Sequence, residues 1–176
     1  VTTRIAKGMH EVGRLSGKLR ERADKALIAE IENLIQDHQT LTGVRKSDVG
    51  VDDETLPVSV IIEDKAVNGK SVKDKARIIA GGHRQNKQDY VNLSTQTVNT
   101  ESAFILLAVA AYEKRSLMIV DVKGAYLNAS MSSPTGRDTF IKVDRALAKM
   151  FVQVDPWLGK FVVSDGTLIL RLDKAL

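Results

Sequence analysis

Between Leu19 and Ile35 the apolar positions Leu19, Ala23, Ala26, Leu27, Ile31, Leu34 and Ile35 recur at three- and four-residue spacing, with charges between them. That period predicts an amphipathic helix over 18–39, and Gly43 after Thr42 reads as its stop. Residues 1–17, with Gly8, Gly13 and Gly17, show no firm period, and the acidic, polar stretch from Thr42 to Pro57 reads as a loop. Pro57–Glu63 and Lys75–Gly81 are β-branched runs on either side of Asn68-Gly69, which is the pattern of a hairpin. Gly81-Gly82 ends the second strand, and 83–99 is polar and loop-like. Thr100 is placed to cap a helix whose body, Ala103–Tyr112, is apolar on every side and so reads as a buried core element. Leu117–Val122 reads as a short strand carrying Asp121, Lys123–Met131 turns away from it, and Ser132–Gly136 is a loop. Phe140–Val143 is a further strand and 144–152 a helix. Phe161–Val163 and Thr167–Leu172 flank Ser164-Asp165-Gly166 as a second hairpin. Hairpins mixed with helices, without strict βαβ alternation, predict an α+β fold.

Composition narrows the chemistry. The chain has 176 residues, 43% hydrophobic and 27% charged, enough for a sizeable core. It has no cysteine, which excludes disulfide scaffolds, zinc–thiolate sites and thiol catalysis. Its histidines, His10, His38 and His83, are too scattered in sequence for a His-rich metal motif. The longest apolar run, Ala103–Tyr112, is ten residues, against the roughly twenty a membrane-spanning helix needs. The first residue is Val, so the chain is expected to be an excerpt of a longer one.

The net charge is +4, and residues 63–89 hold seven Lys/Arg against four Asp/Glu. The basic density peaks between Lys70 and Lys87, and Lys70, Lys73, Arg84 and Lys87 are candidate contacts for a polyanion such as nucleic acid. The plainer reading is a solvated surface rich in lysine. Gly69-Lys70-Ser71 is not a phosphate-binding P-loop, because position 64 is Asp where a glycine is required and a hairpin stands where a helix should follow. Asp121 is the outstanding single residue. A carboxylate at the end of Leu117-Met118-Ile119-Val120 is costly to bury unless it is paired or metal-bound. It is either a group facing a cleft or the cap of a helix beginning at Val122. Tyr126 is either a partner of whatever Asp121 holds or an ordinary core tyrosine.

Taken together, several of these segments resemble copia-type retrotransposon reverse transcriptases. Lys75-Ala76-Arg77-Ile78-Ile79-Ala80-Gly81-Gly82-His83-Arg84-Gln85 is similar to that family's KARLVAGG…Q signature. Asp121-Val122-Lys123-Gly124-Ala125-Tyr126-Leu127-Asn128 is similar to its first catalytic motif, D-V-K-x-A-[YF]-L-N. Ser102–Tyr112 matches its SxxxLLAxAA helix, and Leu170–Leu176 resembles the segment before its YG[LC] motif. The resemblance spans about Ala26 to Leu176. His83 stands where the family usually has an aromatic residue, and Leu93–Val98 lacks the proline of its F-S-P-V.

The resemblance implies the fingers and partial palm of a reverse transcriptase: a helical segment and acidic loop over 1–54, fingers over 55–110, and partial palm over 111–176. It implies RNA-directed DNA synthesis on an RNA template and DNA primer, with deoxynucleotide triphosphates and Mg²⁺. It makes Asp121 the catalytic, metal-binding carboxylate, with the Val122 carbonyl as a further metal ligand. Tyr126 would lie under the incoming sugar, and Lys75 and Arg77 would face the triphosphate, for which a guanidinium and an ammonium are both suited. The family's Tyr-x-Asp-Asp does not occur in the chain; its one adjacent aspartate pair, Asp52-Asp53, precedes the first motif. The piece alone is therefore expected to be inactive. The alternatives are a non-enzymatic nucleic-acid-binding module and a folded remnant of a degraded element. By resemblance only, the setting is a cytoplasmic retrotransposon particle whose DNA product enters the nucleus, with no membrane involved.

Overall fold

The computed structural model describes residues 2–67, 70–85, 97–131 and 136–176. Its spine is one long strand, β3 (Glu54–Val67), whose successive stretches join different partners. Its first four residues pair in parallel with β5 (Thr139–Val143), and β5 continues antiparallel to β6 (Leu168–Leu172), which pairs with the short β2 (Leu41–Gly43). Farther along, β3 carries β4 (Lys70–Ala80) over 58–67 and β1 (Thr2–Lys7) over 61–65, both antiparallel. The expected hairpin of Pro57–Glu63 with Lys75–Gly81 is present, with Val60 opposite Ile78 and Ile62 opposite Ala76. The Asn68-Gly69 turn lies outside the described residues. An α+β fold results.

One face of this sheet is apolar and is covered by helices. In α2 (Gly17–Glu32) the residues Ala23, Leu27 and Ile31 are buried at four-residue spacing, and Leu34 follows them in the wider turn over Asn33–Asp37. They pack on Val60, Ile62, Ala76 and Ile78, with α4 (Arg145–Val154) adding Leu147, Ala148 and Phe151. Each such fully buried Leu, Ile or Phe contributes about 1.5–3 kcal/mol. The short α1 (Met9–Arg14) supplies Val12. Asp144 caps α4, its Oδ1 accepting the N–H groups of Ala146 and Leu147 at 2.9 Å each.

Several local expectations are corrected. The helix does not run to a stop at Gly43. Gln39 takes φ 49° and Thr40 turns back, its N–H and hydroxyl both donating to the Leu34 carbonyl. Gly43 is instead a buried strand residue, where a Cβ would meet Leu158 Cδ2 at 3.0 Å and the Phe161 ring still closer. The stretch 42–57 is only partly loop, since β2 and the start of β3 fall within it. Asn99, not Thr100, caps α3 (Thr100–Tyr112), accepting the Ser102 N–H at 2.7 Å. The second hairpin is reduced to a tight turn at 163–167 with a single bridge, Val162 to Leu168.

The largest correction concerns α3 and the run after it. Only Ala110 of this helix is buried, and Phe104, Ile105 and Leu106 are about two-thirds exposed (66%, 65% and 66%). Leu117–Val122 forms no strand: no described strand pairs with it, and its apolar side chains are exposed. Apolar character all round a helix marks a preference for burial, but it contains no periodic stripe that would name a neighbour. Among the described residues no element packs extensively on α3.

Candidate functional site

The segment 121–131 is held to the body of the fold through its small and apolar residues, which leaves its reactive side chains outward. Gly124 has φ +61°, a region in which L side chains are strained, and it lies against the His38 ring at the end of the α2 turn. A short turn, Tyr126–Asn128, follows, and Leu127 and Met131 pack on the core. The segment is then tied to the end of the chain. The Met131 N–H donates to the Asp173 carbonyl at 3.0 Å, and the Ala175 N–H to the Ala129 carbonyl at 2.9 Å. Lys174 closes the same corner by donating to the His38 carbonyl.

Asp121 and Tyr126 project from this anchored loop. Asp121 is exposed and has no hydrogen-bond or ion-pair partner among the described residues. The helix-cap reading of Asp121 is overturned, because the turn at 126–128 begins at Ala125 and has no side-chain cap. The core reading of Tyr126 is overturned too, since it is 80% exposed. Val122 is likewise exposed.

Lys73, Lys75 and Arg77 lie elsewhere, on the outward face of β4, where alternate residues point away from the core. The intervening Asp74 points inward and is fastened to α2. Arg22 grips its carboxylate through Nε at 2.7 Å and Nη2 at 2.6 Å, and Nη2 also reaches Asp64 at 3.6 Å. The hydrogen bond to Asp74 is the main reason the Arg22 guanidinium holds its proton more tightly than usual. Arg77 forms an ion pair with Glu63 on the neighbouring strand. Glu30 of α2 lies beside β4, and burial pushes its carboxyl above the usual range despite Lys75, Arg77 and the Ile78 N–H.

Lys70 opens β4, Arg84 is exposed in the turn Gly82–Arg84, and Lys87 is outside the described residues. Among the described residues no hydrogen bond or ion pair joins the Asp121 loop to Lys75 or Arg77. Nor do these residues include a group of three His, Asp or Glu side chains able to hold a metal ion. Three clefts, formed mainly by α2 and α4, take in neither Asp121 nor Tyr126. Sequence reasoning missed the anchoring roles of His38 and Gly124. The one available signal was a glycine inside a motif otherwise made of side chains that pack or react.

A protein-family profile for reverse transcriptase (RNA-dependent DNA polymerase) matches residues 47–143, more than half of the chain. The match takes in β3, β4, α3 and the Asp121 loop, and it leaves β1, α2, α4 and β6 outside. Nothing among curated proteins or solved structures matches.

Proposed function

Since the chain belongs to the copia-type family of reverse transcriptases (RNA-dependent DNA polymerases), we propose that it supplies the fingers and first part of the palm of a retrotransposon polymerase. Such a polymerase would be made within a polyprotein and act in a cytoplasmic particle. A reverse transcriptase domain acts on a nucleic-acid template and deoxynucleotides, and such enzymes generally use Mg²⁺. On this reading the template is RNA, the primer DNA, and the division is 1–54, 55–110 and 111–176.

The observation that carries the proposal is the Asp121 loop. Its glycine and apolar residues attach it to the fold, while Asp121 and Tyr126 stay exposed and perform no structural task among the described residues. A carboxylate kept free of hydrogen bonds suits a metal ligand, and Val122 can offer its carbonyl beside it. A two-Mg²⁺ site needs more than one carboxylate, and the described residues hold no group of three His, Asp or Glu side chains that would fit one. On this reading Asp121 is one ligand of a set that other residues complete, and the chain alone is expected to be inactive. The exposed apolar surface of α3 and 117–122 supports a place within a larger polymerase. Lys75 and Arg77 are assigned to the triphosphate, and Lys70, Lys73, Arg84 and Lys87 to nucleic acid.

Primer extension tests this in a polymerase that joins this chain to a Tyr-x-Asp-Asp segment. Asp121→Asn is expected to abolish incorporation while the protein stays folded. Incorporation at the unaltered level would remove Asp121 from the chemistry and the mechanism with it.

A further inference from the structure

The pairing of β1 with β3 sets side chains from the chain's first residues beside those of the hairpin. Directly opposed residues of antiparallel strands share a face. The register therefore builds three outward rows: Thr2–Lys65–Lys73, Arg4–Glu63–Lys75 and Lys7–Ile61–Arg77. The row Ala6–Ile62–Ala76 between them confirms the orientation, since all three are buried. The outward face thus gathers Arg4, Lys7, Lys65, Lys73, Lys75 and Arg77 around one acid, Glu63. All six cations are exposed. Two further acids border the face: Glu30 at β4, and Glu11, whose carboxylate is engaged by the Lys7 backbone N–H at 2.7 Å.

We propose that the outward face of β1–β3–β4 is a track for the sugar–phosphate backbone of a single nucleic-acid strand, carried by Arg4, Lys7, Lys65 and Lys73, with β1 supplying two of these four cations and Lys75 and Arg77 beside them left to the triphosphate. Arg4 and Lys7 lie outside the family-matched residues 47–143 and carry no assigned role. Strands about 4.8 Å apart, and rows about 6.8 Å apart along them, make a charged field of roughly 10 by 14 Å. That field is large enough for several consecutive phosphates. Its excess positive charge selects a polyanion. No aromatic side chain stands in the three rows, so the face has no platform for stacking bases and reads phosphate alone. The inference rests on nucleic acid being the substrate of the proposed polymerase, but it is tested by binding, with neither nucleotide nor metal.

Fluorescence anisotropy with labelled oligothymidylate and oligouridylate, each about 20 nucleotides long, would follow affinity from about 50 to 200 mM salt. Arg4→Gln/Lys7→Gln is expected to weaken binding about tenfold or more, and to lower the log–log salt slope by about 1.4, or ~0.7 per lost phosphate contact. Lys65→Gln/Lys73→Gln should do the same, which keeps the test open if the first pair disturbs β1. Lys18→Gln/Lys25→Gln on α2 removes equal charge from exposed positions and should leave the slope unchanged. The track is refuted if both face pairs bind like the unaltered chain, or if the α2 pair loses as much. Strong preference among bases, or equal competition by polyglutamate of matched charge, would also overturn it. Failure of primer extension with normal Arg4/Lys7-dependent binding would strike the polymerase reading and leave the track standing.

Discussion

Replacing Gly124 by Ala separates two costs that the structure places on one residue. The first is conformational: at φ +61° an L side chain crowds its own backbone, at about 1–2 kcal/mol. The second is steric: a Cβ there would stand 3.0 Å from His38 Cε1 and 3.1 Å from Nε2, so the ring must yield by a few tenths of an ångström. Against both, alanine stiffens the unfolded chain and returns about 0.4–1 kcal/mol. Gly136 has a similar φ, +71°, with open space around its would-be Cβ, so Gly136→Ala carries the conformational cost without the contact. Urea unfolding at constant m-value should show Gly136→Ala losing about 0–1.6 kcal/mol and Gly124→Ala more, by what the His38 contact adds. In a His38→Ala background the Gly124→Ala cost should fall to the Gly136 level, because the obstructing ring is gone. Amide exchange at Asn128 and Ala129 should quicken in Gly124→Ala as the loop loosens. Equal costs at the two glycines, or no relief from His38→Ala, would refute the docking of the Asp121 loop on His38.

Other outcomes follow from burial, capping and charge. Phe104→Lys and Ile105→Lys should each change the stability of this chain by no more than about 0.5 kcal/mol, as at exposed sites, whereas Phe151→Ala should lose about 3–5; a comparable loss at α3 in denaturant melts would show that the helix is packed. Asp144→Ala should cost about 1 kcal/mol through loss of the α4 cap, while Asp121→Ala, which caps nothing, should leave the melting temperature in place; the reverse ranking would restore the cap reading of Asp121. Glu30 has a folded pKa above its ordinary 4.5, so the folded chain holds that proton more tightly than the unfolded one. Its contribution to stability is greatest below that ordinary value and declines as pH rises through the folded one. The stability of Glu30→Gln relative to the unaltered chain should therefore rise with pH above 4.5 and then level off, and a difference independent of pH would contradict the burial of that carboxyl.

Where one side of an element is apolar, its pairing or docking was legible from local pattern. Ala23, Leu27 and Ile31 mark the buried stripe of α2 by spacing alone. Alternation in β4, where Asp74, Ala76 and Ile78 face inward and Lys73, Lys75 and Arg77 outward, marks both its faces. Boundaries set by one unusual residue were not legible. Gln39 ends the α2 turn in a left-handed conformation that a search for glycine passes over, and Gly43 serves close packing where it reads as a stop signal. The candidate site was legible as a motif but not as an environment. The sequence Asp121–Asn128 names the reactive groups, whereas the His38 ring that seats Gly124 lies far away in the chain and joins it only through the fold.

Apolar content and apolar periodicity answer different questions, and α3 separates them. A helix with a stripe, such as α4, states which side to bury, and the core accepts Leu147, Ala148 and Phe151 on that side. In α3 every side is apolar, so burying any one face leaves others in water unless neighbours close in from several directions. The same holds for Leu117–Val120, where both alternating faces are apolar, the pattern of a strand sandwiched between layers. These two adjacent segments, exposed among the described residues, lead directly into a loop whose carboxylate has no partner among those residues. The carboxylate and the apolar surface therefore belong to one problem: an element that covered α3 and 117–122 would also set the surroundings of Asp121. This ties the chemistry of that residue to packing, because a ligand set completed across such a contact is only as well positioned as the contact itself.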